Sequence, residues 1–294
     1  MDTSRLTVVI PTVGRDDLSR ALSSCVGQAA RTVIVLDDPS RQHDVEAMIA
    51  GTSHPERCAL VQTAGREGGG VARARGVESA ETAYVGFLDD DDVWQDDRVS
   101  SLPDDDGIGF HTCSVHFHFR AGNVMTLPAV PMPAEPAAAL SLTLQRRKPR
   151  YNEGFLQSST FVVRRDLALK HNWRVSLRKH QDWDFFARTT ADAGCRWTHD
   201  ATPRVHVYQG SDGSVSKQAV WPASRDWLLE TPGLSPSAIA DFATCHILRA
   251  GLQTRDRAAV GAALRLVAKS RRLPHSGSLV LGLSGLREGL RRHP

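Results

Sequence analysis

Four consecutive aspartates, Asp89 to Asp92, follow directly on the apolar run Tyr84-Val85-Gly86-Phe87-Leu88. Carboxylates packed that closely repel one another, so the arrangement is tolerable only where water or a cation neutralises it. Hard oxygen ligands suit Mg²⁺ or Mn²⁺, ions that keep coordination positions open for substrate phosphates. A cation held there could absorb charge developing on a departing diphosphate. On spacing alone, a solvated acidic turn is the competing account. His111, Cys113, His116 and His118 suggest a second metal cluster at first sight, but His116 and His118 alternate with Phe117 and Phe119. That alternation predicts an edge strand with one wetter face, carrying structural histidines.

The elements that must position the aspartates are legible in the first third of the chain. Leu6 to Ile10 and Thr32 to Leu36 are short, continuous and β-branched, as strands buried on both faces of a parallel sheet are, with Pro11 expected to end the first. Between them Leu18, Ala21, Leu22, Cys25 and Val26 make an apolar helical stripe, with Asp16 and Asp17 in its first turn. Gly68-Gly69-Gly70 opens a helical segment reaching Glu81, and Tyr84 to Leu88 is the next strand. This alternation predicts a parallel α/β sheet with ligands beyond the carboxyl ends of its strands. Further on, residues 111–119 read as a strand, and Ser159 to Val163 as another. The prolines at 128, 131, 133 and 136 predict a surface loop from Leu127 to Ala139. Asp182 to Asp192 reads as a helix, and from Ser235 onward the pattern is helical throughout.

Composition sets the outer bounds. With 294 residues, 41% hydrophobic and 23% charged, the chain has the makeup of a soluble globular protein with one large domain and a smaller appendage. A net charge of +3 gives no argument for nucleic acid, and the six tryptophans show no basic interleaving. From Arg249 to the C-terminus, however, ten basic side chains face two acidic ones, so the tail is strongly basic and the remainder net acidic. Five scattered cysteines without a Cys-x-x-Cys pair argue against a disulfide framework or zinc site. No apolar stretch approaches the length of a spanning helix or a signal-peptide core, so a cytoplasmic protein is expected, touching the inner face of a membrane at most.

Several of these segments fall in the order and approximate spacing of one family. Val-Val-Ile-Pro-Thr followed by Arg15, Ile-Val-Leu-Asp-Asp ending at Asp38, Gly-Val-Ala-Arg-Ala-Arg-Gly from Gly70, Phe-Leu-Asp-Asp-Asp-Asp-Val-Trp from Phe87, Gln181-Asp182-Trp183 and Gly213-Ser214-Val215-Ser216 together resemble the inverting glycosyltransferases of family 2, which have the GT-A fold. The resemblance covers about Leu6 to Ser216. It implies an α/β GT-A catalytic domain over residues 1–216, mostly parallel in its sheet, and leaves 217–294 as a basic helical C-terminal subdomain. It further implies a nucleotide-diphosphate-sugar donor, expected to be a UDP-sugar, and a glycan, lipid-linked or small-molecule acceptor. By the same resemblance Pro11 and Thr12 floor the nucleotide pocket with Arg15 beside them, and Asp38 hydrogen-bonds the base. Gly70 and Arg73 lie nearest the diphosphate, Asp90 lies near the ribose, and Asp89 and Asp91 hold Mn²⁺ or Mg²⁺, with Asp91 the more direct ligand. Asp182 matches the catalytic base, with Asp184 as the alternative.

Bland accounts stand beside these assignments. Asp38 could simply initiate the turn at Pro39, Arg73 and Arg75 could be a solvated helix face, and Asp182 could be an acidic first-turn residue favoured by the helix dipole. Three departures from the family pattern are visible: Ala74 stands where Asn is usual, Gln181 where Glu is more common, and Ser211 where many members place a histidine, with His206 lying upstream. A nucleotidyltransferase would share the early α/β half, but Pro11-Thr12-Val13-Gly14-Arg15 is poor in the glycines of its phosphate loop. A degenerate sugar-nucleotide-binding module would be expected to lose the aspartates or the base, and both are present. At the C-terminus, Leu279, Val280, Leu281, Leu283, Leu286 and Leu290 gather beside Arg287, Arg291 and Arg292. That segment would suit either peripheral membrane contact or packing, including a homodimer through the C-terminal helices.

Overall fold

The runs Leu6–Thr12 (β1), Arg31–Leu36 (β2) and Tyr84–Phe87 (β4) are almost wholly buried, which is why they carry continuous β-branched and aromatic residues instead of an alternating pattern. In a computed structural model describing residues 1–105, 107–209 and 221–292, nine strands form one mixed sheet. The others are Cys58–Gln62 (β3), Val93–Trp94 (β5), Ile108–His118 (β6), Val124–Leu127 (β7), Val162–Arg164 (β8) and Arg196–Tyr208 (β9). Their order is β3-β2-β1-β4-β8-β6-β9-β5, with β7 added beside β6. The β3-β2-β1-β4 half is parallel, β8 is antiparallel to both β4 and β6, and β9 runs parallel to β6. The chain divides into two compact units, Met1–Leu127 with Leu156–Asp212, and Pro128–Phe155 with Gly213–Pro294.

In the first unit the helices are Leu18–Cys25 (α1), Gln42–Ala50 (α2), Gly69–Ser79 (α3), Arg165–Lys170 (α5) and Gln181–Thr190 (α6). Helix α3 lies directly on β1: a Cβ at Gly76 would come 2.1 Å from Val9 Cγ1, so only glycine permits this approach. An aromatic cluster then joins the end of β4 to α6. Phe87 meets Trp173 edge-on at 5.1 Å, Trp173 stacks on Phe185 at 4.4 Å, and Phe110 meets Phe161 and Phe186 at 4.9 and 5.3 Å. Such pairs add about 0.5–1.5 kcal/mol each beyond burial. They fix the strand that delivers Asp89 against the helix that delivers Asp182.

The second unit holds Pro136–Leu144 (α4), Trp221–Glu230 (α7), Pro236–Phe242 (α8), a π-helical turn Ala243–Leu248, Arg249–Thr254 (α9), Arg257–Ser270 (α10) and Ser276–Arg292 (α11). Its core is built on Trp227, Phe242, Ile247 and the small face of α10. Fully buried Asp241 accepts hydrogen bonds from the Arg146 and His275 amides at 3.0 and 2.8 Å and pairs with His275 Nδ1 at 2.7 Å. One carboxylate thus ties the chain after α4, helix α8 and the entry to α11.

Four expectations need correction. Pro11 does not end β1, which continues to Thr12 with Pro11 opposite Val35. The β4 pairing stops at Val9, so beyond it β1 is an edge on that side, where a residue without an N–H is tolerated. Ser159 to Val163 is not one strand: Ser158–Thr160 is a 3₁₀ turn and β8 starts at Val162, because those hydroxyls bond to side chains and to Gln157 O instead of leaving the backbone to a ladder. The expected loop from Leu127 to Ala139 ends early, since Pro136 opens α4 as its first residue, where a missing N–H costs nothing. Finally, β6 is no edge strand; it pairs with β7, β8 and β9. The Gly213–Ser216 run, Ser211, Arg291 and Arg292 side chains, and most of the expected 215–222 boundary lie outside the described residues.

Candidate active site

The four aspartates alternate in direction as they leave β4. Asp90 and Asp92 turn inward and are buried, whereas Asp89 and Asp91 stay partly open. Asp90 is taken up by β1's end: Thr12 Oγ1 donates to it at 2.7 Å and Arg15 Nη1 at 3.0 Å, with Thr12 Oγ1 also accepting from the Gly14 amide. Burial raises its carboxyl, while Thr12 and Arg15 pull it back down. Arg15 also lies 3.7 Å from Asp91. Asp92 accepts from Ser159 Oγ at 2.5 Å, Gln157 Nε2 at 3.0 Å and the Tyr208 amide at 3.2 Å. Burial, compounded by Asp89 and Asp91, pushes its carboxyl well above the ordinary range.

Asp89 faces a different set of groups. Arg73 Nη2 donates to it at 2.5 Å, Ser158 Oγ at 3.0 Å and Gln157 Nε2 at 3.2 Å. Arg73 is only 8% exposed and lies over the Trp173 ring at 5.0 Å, so it is not a solvated helix-face residue. Burial works against its charge, but Asp89, Asp182 and Asp90 together hold it charged. Arg75 is spent locally on Gln62 O and Glu67.

Asp182 sits in the first turn of α6, entered through His180 in the left-handed region at φ 64°. A non-glycine residue there marks local strain, of a kind found at functional sites. Desolvation pushes the Asp182 carboxyl up to about 6, with Arg73 opposing, Asp89 reinforcing, and hydrogen bonds from Ser158 opposing. Asp184 is committed elsewhere, buried and bound by Arg188 at 2.8 Å and Arg174 at 3.3 Å. Gln181, just ahead of Asp182, wedges against the Gly-rich helix: a Cβ on Gly70 would lie 2.7 Å from Gln181 Nε2. Gly70 therefore joins the heads of α3 and α6. Ala74 is buried within α3.

At the end of β2, Asp38 is half-buried and caps the turn at Pro39, accepting from Ser40 N and Oγ at 3.2 and 2.6 Å, which lowers its carboxyl. Its neighbour Asp37, which sequence reasoning passed over, is buried and organises the loop before α3. It accepts from Thr63 Oγ1 and from the Glu67 and Gly68 amides at 2.9 and 2.7 Å. The Asp-Asp pair was the available signal, since two adjacent acids at a strand end must point apart. Gln157, Ser158 and Ser159 were missed as well, because a Gln-Ser-Ser run has no chemistry of its own until it is folded against carboxylates.

The histidines of β6 find partners on β9. His111 is buried, bonded to Thr198 Oγ1 at 2.9 Å, and desolvation pushes it down to about 3. His206 Nδ1 lies 2.9 Å from His118 Nε2.

Asp89, Asp91 and Asp92 each bring a carboxylate oxygen within 4.8 Å of the others, and among the described residues they are the sole group of His, Cys, Asp or Glu that does so. Three hard oxygens at that separation fit a Mg²⁺- or Mn²⁺-sized cation.

Residues 7–171 match the family model described as glycosyl transferase family 2. The chain belongs to this family. Among its relatives, succinoglycan biosynthesis protein ExoU of Rhizobium meliloti (strain 1021) is 25% identical over 226 residues, 71% of this chain and 65% of that protein. The amylovoran biosynthesis glycosyltransferase AmsB of Erwinia amylovora is 25% identical over 194 residues, 62% of each. The chain thus spans somewhat under two thirds of these relatives' length. In solved structures the family's GT-A fold recurs in S. aureus TarS 1-349 in complex with UDP-GlcNAc, with a TM-score of 0.59 and 13% identity over 97% of this chain and 92% of that one. It recurs also in the mannosyltransferase PcManGT from Pyrobaculum calidifontis in complex with GDP-Man and Mn2+, with a TM-score of 0.54 and 16% identity over 98% and 81%. The expected α/β GT-A architecture is therefore the one observed.

Proposed function

We propose that the protein transfers a glycosyl group from a nucleoside diphosphate sugar, a UDP-sugar by preference, to an acceptor hydroxyl, with a divalent cation and with inversion at the anomeric carbon. The observation that carries this reading is the convergence of two carboxylate systems through one arginine: Arg73 binds Asp89 of the aspartate run and stabilises charge on Asp182. A proton acceptor beside a phosphate-binding centre is what displacement of a diphosphate by a hydroxyl requires.

Asp89, Asp91 and Asp92 would hold Mn²⁺ or Mg²⁺, which when bound supplies positive charge to the leaving diphosphate. Arg73 and the open amides at the head of α3, beside Gly70, favour anionic groups in the same place. Pro11 and Thr12 form the floor under the nucleoside, Asp38 takes the base N–H, and Asp90, held by Thr12 and Arg15, sets the ribose end. Asp182, its carboxyl raised towards neutrality, takes the proton from the incoming hydroxyl as the new bond forms. The UDP preference draws on the UDP-GlcNAc complex of the structural neighbour TarS, and a glycan acceptor on the succinoglycan and amylovoran relatives.

The test is a screen of purified protein with UDP-, GDP- and dTDP-sugars, with and without Mn²⁺, following free nucleotide by mass spectrometry. Release from a UDP-sugar that stops in EDTA is expected. Release from none of the donors, with binding of UDP intact, would leave a sugar-nucleotide-binding module in place of an enzyme.

A further inference from the structure

Helix α11 is built inside out for a helix docked on a core. Its buried stripe is made of small residues, Ser278, Gly282, Gly285 and Gly289, spaced i, i+4, i+7, i+11, and its long apolar residues Leu279, Leu283, Leu286 and Leu290 repeat the same spacing one position later. One position is about 100° around the helix, so the leucines form a separate stripe beside the buried one. The glycines are needed where they are: a Cβ would lie 2.4 Å from Arg249 O at Gly285, 2.7 Å from Thr244 Cγ2 at Gly282 and 2.7 Å from Leu252 O at Gly289. Backbone contact with the π-turn and α9 thus fixes the helix's rotation, and that rotation turns the leucines outward. Leu279, Val280, Leu283, Leu286 and Leu290 are between 42% and 65% exposed, and Leu273, just ahead of the helix, is 88% exposed.

Once its internal ion pairs are set aside, the tail carries exposed charge of one sign. Both acidic side chains of the tail are used internally, Glu288 by Arg249 and Gln253, and Asp256 by the α10 amides and Trp221. Lys269, Arg271, Arg272 and Arg287 are exposed and have no acidic partner among the described residues. A second copy of the same face would bring these cations against one another, whereas an anionic surface would neutralise them. No helix among the described residues is long and apolar enough to cross a membrane, so the geometry is that of a segment lying in the interface plane.

We propose that the leucine face of α11, with Arg271 and Arg272 just ahead of the helix and Arg287 next to Leu286, docks the protein on an anionic phospholipid surface. The leucines enter the headgroup boundary and the arginines meet lipid phosphates. The face belongs to the second unit alone, so the proposal stands apart from the catalytic reading.

The experiment is co-sedimentation of the full chain with vesicles containing phosphatidylglycerol and with vesicles of phosphatidylcholine alone, paired with sedimentation velocity in the absence of lipid. The chain is expected to bind the anionic vesicles, weaken as salt is raised, and leave the neutral ones in solution. Leu283→Asp with Leu286→Asp should reduce binding by roughly tenfold or more per leucine. Arg271→Gln, Arg272→Gln and Arg287→Gln should each cost about fivefold. Because all five side chains are exposed, the circular dichroism spectrum and Tm should be unchanged. Equal binding by parent and both sets of variants, or no binding to anionic vesicles at low salt, overturns the proposal. So does a dimer that the aspartate variant dissolves while vesicles capture neither form, which would assign the face to a second copy.

Discussion

The aspartate run and the α11 face treat their unfavourable groups in opposite ways. At the end of β4, carboxylates are buried or partly buried and are matched by partners: Asp90 by Thr12 and Arg15, Asp92 by Ser159, Gln157 and Tyr208, Asp89 by Arg73 and Ser158. On α11, apolar and basic groups are exposed and unmatched while glycine is buried. Burying charge is expensive and is tolerated when the geometry supplies partners. Leaving leucine in water also costs, and the α11 packing keeps it there. The lesson is that satisfaction inside one region can be read as preparation for a small ligand, and its lack outside another as preparation for a surface.

The comparison is broken most severely at Asp91, which, like Asp89, is both partly open and within the carboxylate group. Asp91→Ala is expected to abolish transfer and metal-dependent donor binding, with near-normal turnover in EDTA as the contrary result. Asp182→Asn should lower turnover by roughly 10²–10⁴-fold while donor affinity survives; a parallel loss of affinity would make Asp182 structural. The pH profile gives a finer reading of the same residue. The folded protein binds the Asp182 proton more tightly than the unfolded chain does, so this group favours the fold at low pH and that contribution is lost as pH rises towards about 6. Activity runs the other way, because only the ionised carboxylate accepts a proton. The acid limb of kcat/KM should therefore fall at or just below pH 6, lower still with a bound cation, and Asp182→Asn should raise Tm at pH 7. An acid limb well above pH 6 would assign it to another group.

Two smaller effects test the tail. Gly285→Ala improves intrinsic helix propensity but drives a methyl into Arg249 O, so the net change should be a destabilisation of about 1–3 kcal/mol by denaturant titration. Leu283→Ser, one stripe away and 52% exposed, should stay within about 0.5 kcal/mol of the parent. Equal effects at the two positions would mean the helix does not pack on its glycines.

What was legible in the sequence follows from how each element is buried. Strands β1, β2 and β4 are covered on both faces and so consist of unbroken apolar runs. β9 was missed because Arg196, His199, Asp200 and Arg204 interrupt it, and its register against β6 shifts twice around Cys113–Val115. The aspartate run announced a site, but adjacent residues cannot reveal which will point inward, so the inward turn of Asp90 and Asp92 appeared only in the fold. Asp37 was hidden for the same reason beside Asp38. The stripe of leucines in the tail was visible, whereas its outward rotation was not, since that is decided by backbone carbonyls of α9 and the π-turn.

Asp241 draws a consequence for how this protein could exchange parts. It clamps the chain after α4 to α8 and to the start of α11, so the unit carrying the leucine face is assembled from two separated stretches of sequence. A gene fragment encoding residues 217–294 would lack α4 and the Arg146 amide, leaving a fully buried carboxylate short of a partner. Recombination that swaps this unit between relatives has to move Pro128–Phe155 together with the C-terminal stretch, three crossovers in concert where a contiguous appendage would need one. The tail is in that sense inherited with the middle of the chain, and its surface properties should travel with that middle segment through descent.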